Sequence, residues 1–446
     1  PHGKCVYCPG GVENGSPQSY TGKEPAALRG VHGNFDPYLQ TRARLVQLDA
    51  CGHPTDKVEM IIMGGTFPAR PPDYQEWFVK RCFDAMNGAE SKTIADAHSL
   101  NMTAPYRCTG LTVESRPDWC REPHVDRMLS LGATRVELGV QTVFDEILQR
   151  VGRCHTVQDT IDATRISRDA GLKVGYHMMP GLPGSTPEKD IDAFRTIFEN
   201  PDFKPDFLKI YPTLVIKGTR LYDDWKAGKY EPYTTEQATE LLAAVKKDVP
   251  RWVRIQRIQR DIPANLIEAG VKKSHLRILV KRRMDEKGSR CACIRCREIG
   301  LAHRYGHLEG ATTDFNAEMA RSEYDAGGGT ELFISIENRK DDTLIGYARL
   351  RFPSEKAHRP EIRENSAAII RELKVHGEVV RLDEDADGAG EWQHRGYGKK
   401  LMDECEKLSA EKGCRMLLVN SGIGVKPYYR RLGYTETGGY MGRTIM

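Results

Sequence analysis

The sequence predicts an α/β fold: a parallel (β/α) barrel, partial or closed, then a small cysteine-rich metal linker and a C-terminal α+β domain. Strand-like and helix-like runs alternate over short links, and many strand runs are apolar on both faces, as in a parallel sheet covered by helices. Beyond residue 325 the order changes to neighbouring strand patterns. With 446 residues the chain exceeds one ordinary core. The expected domains are 1–270, 271–325 and 326–446.

The first strand is expected at 58–63, closed by Gly64-Gly65, with a helix over 72–86. Next come strand 110–114, helix 124–131, strand 135–140, helix 159–170 and strand Lys173–Met178. Helix 188–198, strand 207–211 and helix 235–245 complete the repeat. In such folds ligands lie at the carboxyl ends of the strands, where Gly64, Glu114, Gln141 and Tyr211 fall. The last domain is expected to hold strands at 332–335, 344–350 and 369–380, a helix at 398–412, a strand at 415–420 and a short helix at 425–432.

A formal net charge of +4 permits a nucleic-acid partner without requiring one. No apolar run reaches membrane-spanning length and no secretory leader is visible, so a cytoplasmic enzyme is expected. The twelve cysteines fall as one close pair, one close triplet and scattered singles, which suits metal ligation in a reducing compartment.

Cys5 and Cys8 stand three apart, and thiolates at that spacing suit an iron–sulfur cluster. The pair alone also fits a zinc half-site, a redox pair or plain packing. A ligand motif so close to a terminus leads to the expectation that the natural chain extends upstream. Cys51, Cys82, Cys108, Cys120 and Cys154 are expected to be buried or inert thiols. Cys291, Cys293 and Cys296 are tight enough for zinc, with His303, His307, Cys108 or Cys120 as candidates for a further ligand.

Gly64-Gly65-Thr66 at a strand end lets backbone approach a ligand closely, or makes an ordinary tight turn. Glu114 and Arg116 are expected to line the same mouth. Gln141 and His177 are further strand-end groups, whose alternative role is a satisfied core hydrogen bond. Gln393, Gly396, Tyr397, Gly398 and Lys399 open a helix whose amino end suits a pyrophosphate. Basic clusters at 251–254, 257–260, 272–273 and 281–283 are solvated faces or a track for a phosphate backbone.

Longer words carry a resemblance. They are Cys-Val-Tyr-Cys-Pro-Gly-Gly at 5–11, Gln18-Ser19-Tyr20-Thr21-Gly22, Met63-Gly64-Gly65-Thr66-Phe67 and Glu114-Ser115-Arg116-Pro117. Met179-Pro180-Gly181-Leu182-Pro183-Gly184, Lys209-Ile210-Tyr211-Pro212-Thr213 and Tyr428-Tyr429-Arg430-Arg431-Leu432-Gly433-Tyr434 continue them. Over essentially its whole length the chain resembles the catalytic subunit of Elongator, a radical S-adenosylmethionine (SAM) enzyme fused to a GNAT-type acetyltransferase domain.

The resemblance implies a [4Fe-4S] cluster held by three cysteines, Cys5 and Cys8 matching the second and third. The first belongs upstream of residue 1, so this chain alone is expected to bind the cluster poorly or not at all. Gly64, Gly65 and Thr66 would meet the methionine amine of SAM, with Glu114, Arg116 and Gln141 around it. The 371–375 strand, with Glu372, Leu373, Lys374 and Val375, would pair with the pantetheine arm of acetyl-CoA. Tyr429 would lie near the thioester, Tyr428 beside it or packed on neighbours, and Lys57 would contact acetyl-CoA from the radical domain. No residue stands out as a firm base for lysine acetylation; Glu372 is a candidate, or equally a cofactor-side or structural carboxylate. The implied zinc site is structural.

The implied partner is a tRNA anticodon loop, with Elongator-like subunits or a second copy of the chain beside it and no membrane. The implied reaction is C5 carboxymethylation of uridine 34. A 5′-deoxyadenosyl radical takes hydrogen from the acetyl methyl, the carbon radical adds to C5, and thioester hydrolysis leaves carboxymethyluridine. The rival readings are a protein lysine acetyltransferase with a degenerate radical domain, and an RNA-binding scaffold in a larger assembly.

Overall fold

The computed structural model describes residues 4–11, 15–304, 317–377 and 396–445. The first sheet holds β1 (Lys57–Ile62), β2 (Arg107–Ser115), β3 (Arg135–Gln141), β4 (Lys173–Met178), β5 (Phe207–Ile210) and β6 (Arg254–Arg257). They lie side by side in chain order, every neighbouring pair parallel. β1 and β6 do not meet, so the barrel is partial.

Helices Pro72–Asn87, Glu122–Ser130, Val157–Asp169, Pro187–Glu199 and Thr235–Lys247 run between or beside these strands. Capping boxes Thr156/Asp159 and Thr234/Gln237 start two of them. Phe83, Met128, Ile166, Phe194 and Leu242 share one core with Leu111, Val136, Leu138 and Val174. Alternation along β3 sends Val136, Leu138 and Val140 into that core and leaves Arg135, Glu137 and Gln141 on the concave face.

The second sheet contains β7 (Ala317–Ala326), β8 (Gly329–Asn338), β9 (Thr343–Phe352), β10 (Ala367–Val375), β11 (Met416–Val419), β12 (Thr435–Thr437) and β13 (Tyr440–Thr444). Its order is β12-β13-β11-β10-β9-β8-β7, with β10 and β11 parallel and the other pairs antiparallel. Helix Tyr397–Glu411 buries Leu401, Met402, Cys405 and Leu408 against it.

Two boundaries differ from the sequence expectation. Residues 317–325, left with the linker, form most of β7, because their polar alternation is paired in full by β8. Helix Leu276–Glu286 buries Leu276, Val280 and Met284 in the first core, so the linker begins later than 271. Of the strand expected at 369–380, β10 covers the part to Val375, and 378–380 lie outside the described residues.

The second domain caps the amino ends of the first sheet through buried charges. Arg371 reaches Asp206 at 2.7 Å and Glu331 at 2.7 Å. Arg351 reaches Asp169 at 2.6 Å and Glu331 at 3.0 Å, and Arg349 reaches Asp206 at 3.3 Å and Glu372 at 2.8 Å. Arg168 completes the set on Glu331 and Asp206. Four guanidinium groups face four carboxylates almost out of contact with water, which is tolerable only because every charge has a partner of opposite sign. Nearby, a Cβ on Gly422 would stand 2.2 Å from the carbonyl oxygen of Thr109, so only glycine lets the two backbones touch.

Candidate functional site

At the carboxyl ends of the strands the cysteine loop is tied into the barrel. Val6 donates its amide to Val151 at 3.0 Å and accepts one from Leu221 at 2.9 Å. Cys5 and Cys8 are buried with Tyr7, Ile147, Val151, Met179 and Leu221. Gln18 donates Nε2 to Cys8 Sγ at 3.2 Å, and Arg153 directs Nη1 at Cys5 Sγ from 3.9 Å.

Gly64 and Gly65 have φ of 117° and 97°, and their α-carbons face Pro17 and Gln18. Thr66 begins the short helix Phe67–Ala69 behind them. Gln141 takes φ 72°, a left-handed conformation unusual for its type, at the end of β3 where the β3–β4 register shifts. Arg116 is held by Asp118 through two donors.

Several buried atoms around this mouth lack a partner among the described residues: Tyr7 Oη, Arg116 Nη1, Gln141 Oε1, Thr142 Oγ1 and Arg153 Nε. Native interiors rarely leave such groups unmade, so a polar occupant is expected. Two thiols and this ring of donors and acceptors fit a cluster with a polar ligand beside it.

The concave face below the mouth is charged. Lys209 bridges Glu137 and Glu114, the latter at 3.5 Å, and His177 Nε2 lies 2.9 Å from Glu137. Burial pushes Glu137 up, but the His177 bond and the charges of Lys209 and Arg135 outweigh it and hold the carboxyl well below the usual range. Arg135 donates to Thr112 at 2.8 Å and lies over the Phe207 ring. Lower down, Lys374 of β10 meets Glu59 of β1 at 3.0 Å. That charge, against the effect of burial, brings Glu59 down to about 2. Lys173 is brought down to about 8 by burial, opposed by Glu372. Glu59 keeps 56% of its side-chain surface although three charged residues, Lys374, Arg135 and Lys173, act on it from both domains, so it faces a chamber between them. Lys57 shares its face of β1 by alternation, and burial lowers its pKa.

In the second domain β11 pairs with β10 only through Ala367–Ile370 partners, leaving residues 371–375 without a strand on that side. Glu372, Leu373, Lys374 and Val375 therefore present backbone to the opening. Gly396 has φ 78° and precedes Tyr397, Gly398 and Lys399 at the start of the long helix. A Cβ on Gly398 would stand 3.0 Å from Tyr428 Oη, so that hydroxyl sits at the helix amino end. Tyr429 is 6% exposed and packs between Tyr428 and Tyr434. Tyr428 is thus half-buried beside the helix start, and Tyr429 is buried next to it. Gln393 lies outside the described residues.

Cys291, Cys293 and Cys296 bring their sulfurs within 4.8 Å of one another. Cys108 and Cys120 are elsewhere, buried thiols pushed up to about 12, as is Cys82. Cys51 and Cys154 are exposed rather than buried. The side chains of His303 and His307 are outside the described residues. The basic clusters are largely answered within the chain: Arg283 by Glu236 and Glu240, Arg251 by Glu337 and Asp342, Arg254 by Glu298 and Arg257 by Asp261. Among the described residues no helix is long and apolar enough to cross a membrane.

On sequence alone no site role falls to Glu137, Lys209, Arg153 or Gln18, although Gln18 and Lys209 stand in words that carry the resemblance. The available signal was the alternation Arg135, Glu137, Gly139, Gln141 inside a strand expected to be covered on both faces.

A parallel half-barrel with a cysteine loop at its mouth, joined to a mixed sheet with an anion-ready helix start, defines a radical SAM enzyme fused to a GNAT domain. The Radical SAM superfamily pattern matches residues 2–197, the Radical_SAM C-terminal domain 205–286 and the Acetyltransferase (GNAT) family 302–434. These matches imply SAM, a [4Fe-4S] cluster and acetyl-CoA as the groups the fold is built for.

The chain is 53% identical over 450 residues to the tRNA uridine(34) acetyltransferase of Methanocaldococcus jannaschii, covering 100% of this chain and 82% of that protein. It is 44% identical over 445 residues to Elongator complex protein 3 of Dictyostelium discoideum, covering 99% and 78%. The solved archaeal Methanocaldococcus infernus Elp3 with an N-terminal deletion (1–46) is 52% identical, covers 93% of this chain and 96% of that one, and superposes with a TM-score of 0.88. The chain belongs to the Elongator complex protein 3 family.

Proposed function

We propose that this protein is a tRNA carboxymethyluridine synthase: it modifies uridine 34 at C5, with acetyl-CoA as the two-carbon donor and SAM as the radical source. The observation that supports this most is the charged concave face, which runs from β10 of the GNAT domain to the cysteine mouth. Cys5 and Cys8 would hold the iron–sulfur cluster, and Gly64, Gly65, Thr66, Glu114, Arg116 and Gln141 would surround SAM. When bound there, the iron–sulfur group would supply the one-electron reducing chemistry for SAM cleavage, with methionine as the leaving group.

The residues then do three things. Residues 371–375 and the Gly396 helix start hold the coenzyme arm, with Tyr428 at the opening and Tyr429 behind it. Lys57 and Lys173 line the chamber that the acetyl group enters, so proximity replaces a bimolecular encounter. The Glu137, His177 and Lys209 set fixes the mouth and leaves a polar edge for a flipped-out base. The Cys291, Cys293 and Cys296 group would take zinc as a staple between the domains.

The anticodon loop offers its bases unstacked, which suits a single-base modification. Elongator-like subunits or a second copy of the chain are the expected neighbours, in the cytoplasm. Lysine acetylation is disfavoured: the charge of Arg349 lowers the pKa of Glu372 against the effect of burial, so this candidate base is committed to an ion pair.

The test is the natural full-length protein with tRNA, acetyl-CoA, SAM and reductant, read by nucleoside mass spectrometry. Carboxymethyluridine is expected only with all components present. Protein acetylation without reductant, and unmodified RNA, would overturn the reading.

A further inference from the structure

We propose that Arg153 and Gln18 are positioning residues that set the reduction potential of the group held by Cys5 and Cys8, a proposal resting on the reading of that mouth as an iron–sulfur site. Arg153 follows helix Asp145–Arg150 and is anchored by donating Nη2 to the Gly139 carbonyl at 2.6 Å. Its Nη1 is turned to Cys5 Sγ at 3.9 Å, and its Nε is buried without a partner. The Asp118 carboxylate acts on this guanidinium only from a distance, behind Tyr7 and Cys5 in strength. A cation withdrawn from water calls for a counter-charge close to it. The sulfur it faces becomes that counter-charge once it is a thiolate on iron.

Gln18 reaches the other cysteine by an independent route. Its loop is fixed by Arg260, which donates to the Ser19 carbonyl, and by Ser16, whose hydroxyl donates to the Tyr20 carbonyl at 2.9 Å. Pro17 and Gln18 lie against Gly64 and Gly65. The amide thereby donates to Cys8 Sγ at 3.2 Å. Each described thiol has its own donor, one charged and one neutral.

Reduction adds one electron to the cluster and moves no proton. The added negative charge spreads onto the ligand sulfurs, where a guanidinium and an amide N–H stabilise it. Both residues therefore raise the potential.

The test uses the natural full-length protein, reconstituted without oxygen and titrated by redox mediators with electron paramagnetic resonance, with neither tRNA nor acetyl-CoA present. Iron and sulfide counts establish equal loading. Arg153→Met and Gln18→Leu are each expected to lower the ratio of reduced to oxidised cluster about tenfold at fixed poise, a 59 mV fall for one electron. Arg153→Lys, which retains the charge, should recover most of the shift.

Iron-replete Arg153→Met and Gln18→Leu proteins that titrate at the wild-type potential overturn the proposal. This includes the case where SAM affinity falls instead, which assigns the guanidinium to the carboxylate of that ligand. If Arg153→Met fails to load iron, Arg153→Gln, which also removes the charge, and Gln18→Leu decide. Shifted potentials in a protein that leaves uridine unmodified would sink the proposed function and keep this inference. Unshifted potentials in an active enzyme would do the reverse.

Discussion

At the scale of single residues, the mouth depends on backbone that few side chains tolerate. Gly65 sits at φ 97°, and a Cβ there would stand 3.3 Å from Gln18 Cβ. Gly65→Ala is expected to cost about 1–2 kcal/mol in backbone strain. It should also push Gln18 off Cys8, so iron per chain after reconstitution should fall while the thermal transition moves only a few degrees. A second prediction concerns protons. His98 lies beside Gly132 and Lys426, and burial, helped by that lysine, brings its pKa down to about 4. An unfolded imidazole takes its proton near ~6.5, so unfolding takes up a proton between those values. Stability is full above about 6.5 and falls as pH drops towards 4. Denaturant midpoints measured across that window should slope in the wild type and flatten in His98→Gln.

At the scale of elements, the joint is made by β8, β9 and β10 carrying Glu331, Arg349, Arg351 and Arg371 onto the amino ends of β4 and β5. Arg371→Met would leave Asp206 and Glu331 short of a partner in a dry interior, a loss of about 3–5 kcal/mol. Calorimetry should show it as a lower transition temperature for the whole protein, whereas Arg195→Met on the exposed Asp192 pair should change little. The same strands show what a sequence reveals. β4 was legible because Val174, Tyr176 and Met178 alternate with Lys173, Gly175 and His177 within clear bounds. Gly64-Gly65 was legible as a turn at the strand end, where both residues take the positive φ that glycine allows. The buried arginines were not, since Arg349 and Arg351 alternating with Ala348 and Leu350 have the pattern of a strand with one wet face. Only the opposing domain, whose Asp169 lies 182 residues from Arg351 in the chain, turns that face inward. Gln18 and Arg153 were hidden for the same reason, each meeting its cysteine through tertiary folding.

At the scale of the whole molecule, the two domains share buried charge and backbone contacts at Gly422, so a single cooperative thermal transition is expected. Two separated transitions by calorimetry would contradict that. The chamber lined by Lys57, Glu59, Lys173 and Lys374 also belongs to neither domain alone. The compensated charges at the joint have a hereditary consequence. Asp169, Asp206 and Arg168 travel with one half of the gene, and Glu331, Arg349, Arg351 and Arg371 with the other. A chimaera grafting the GNAT half of a distant lineage onto this barrel should misfold unless both members of each couple cross over together. The pair is thus inherited as a unit, and drift on one side waits for its answer on the other.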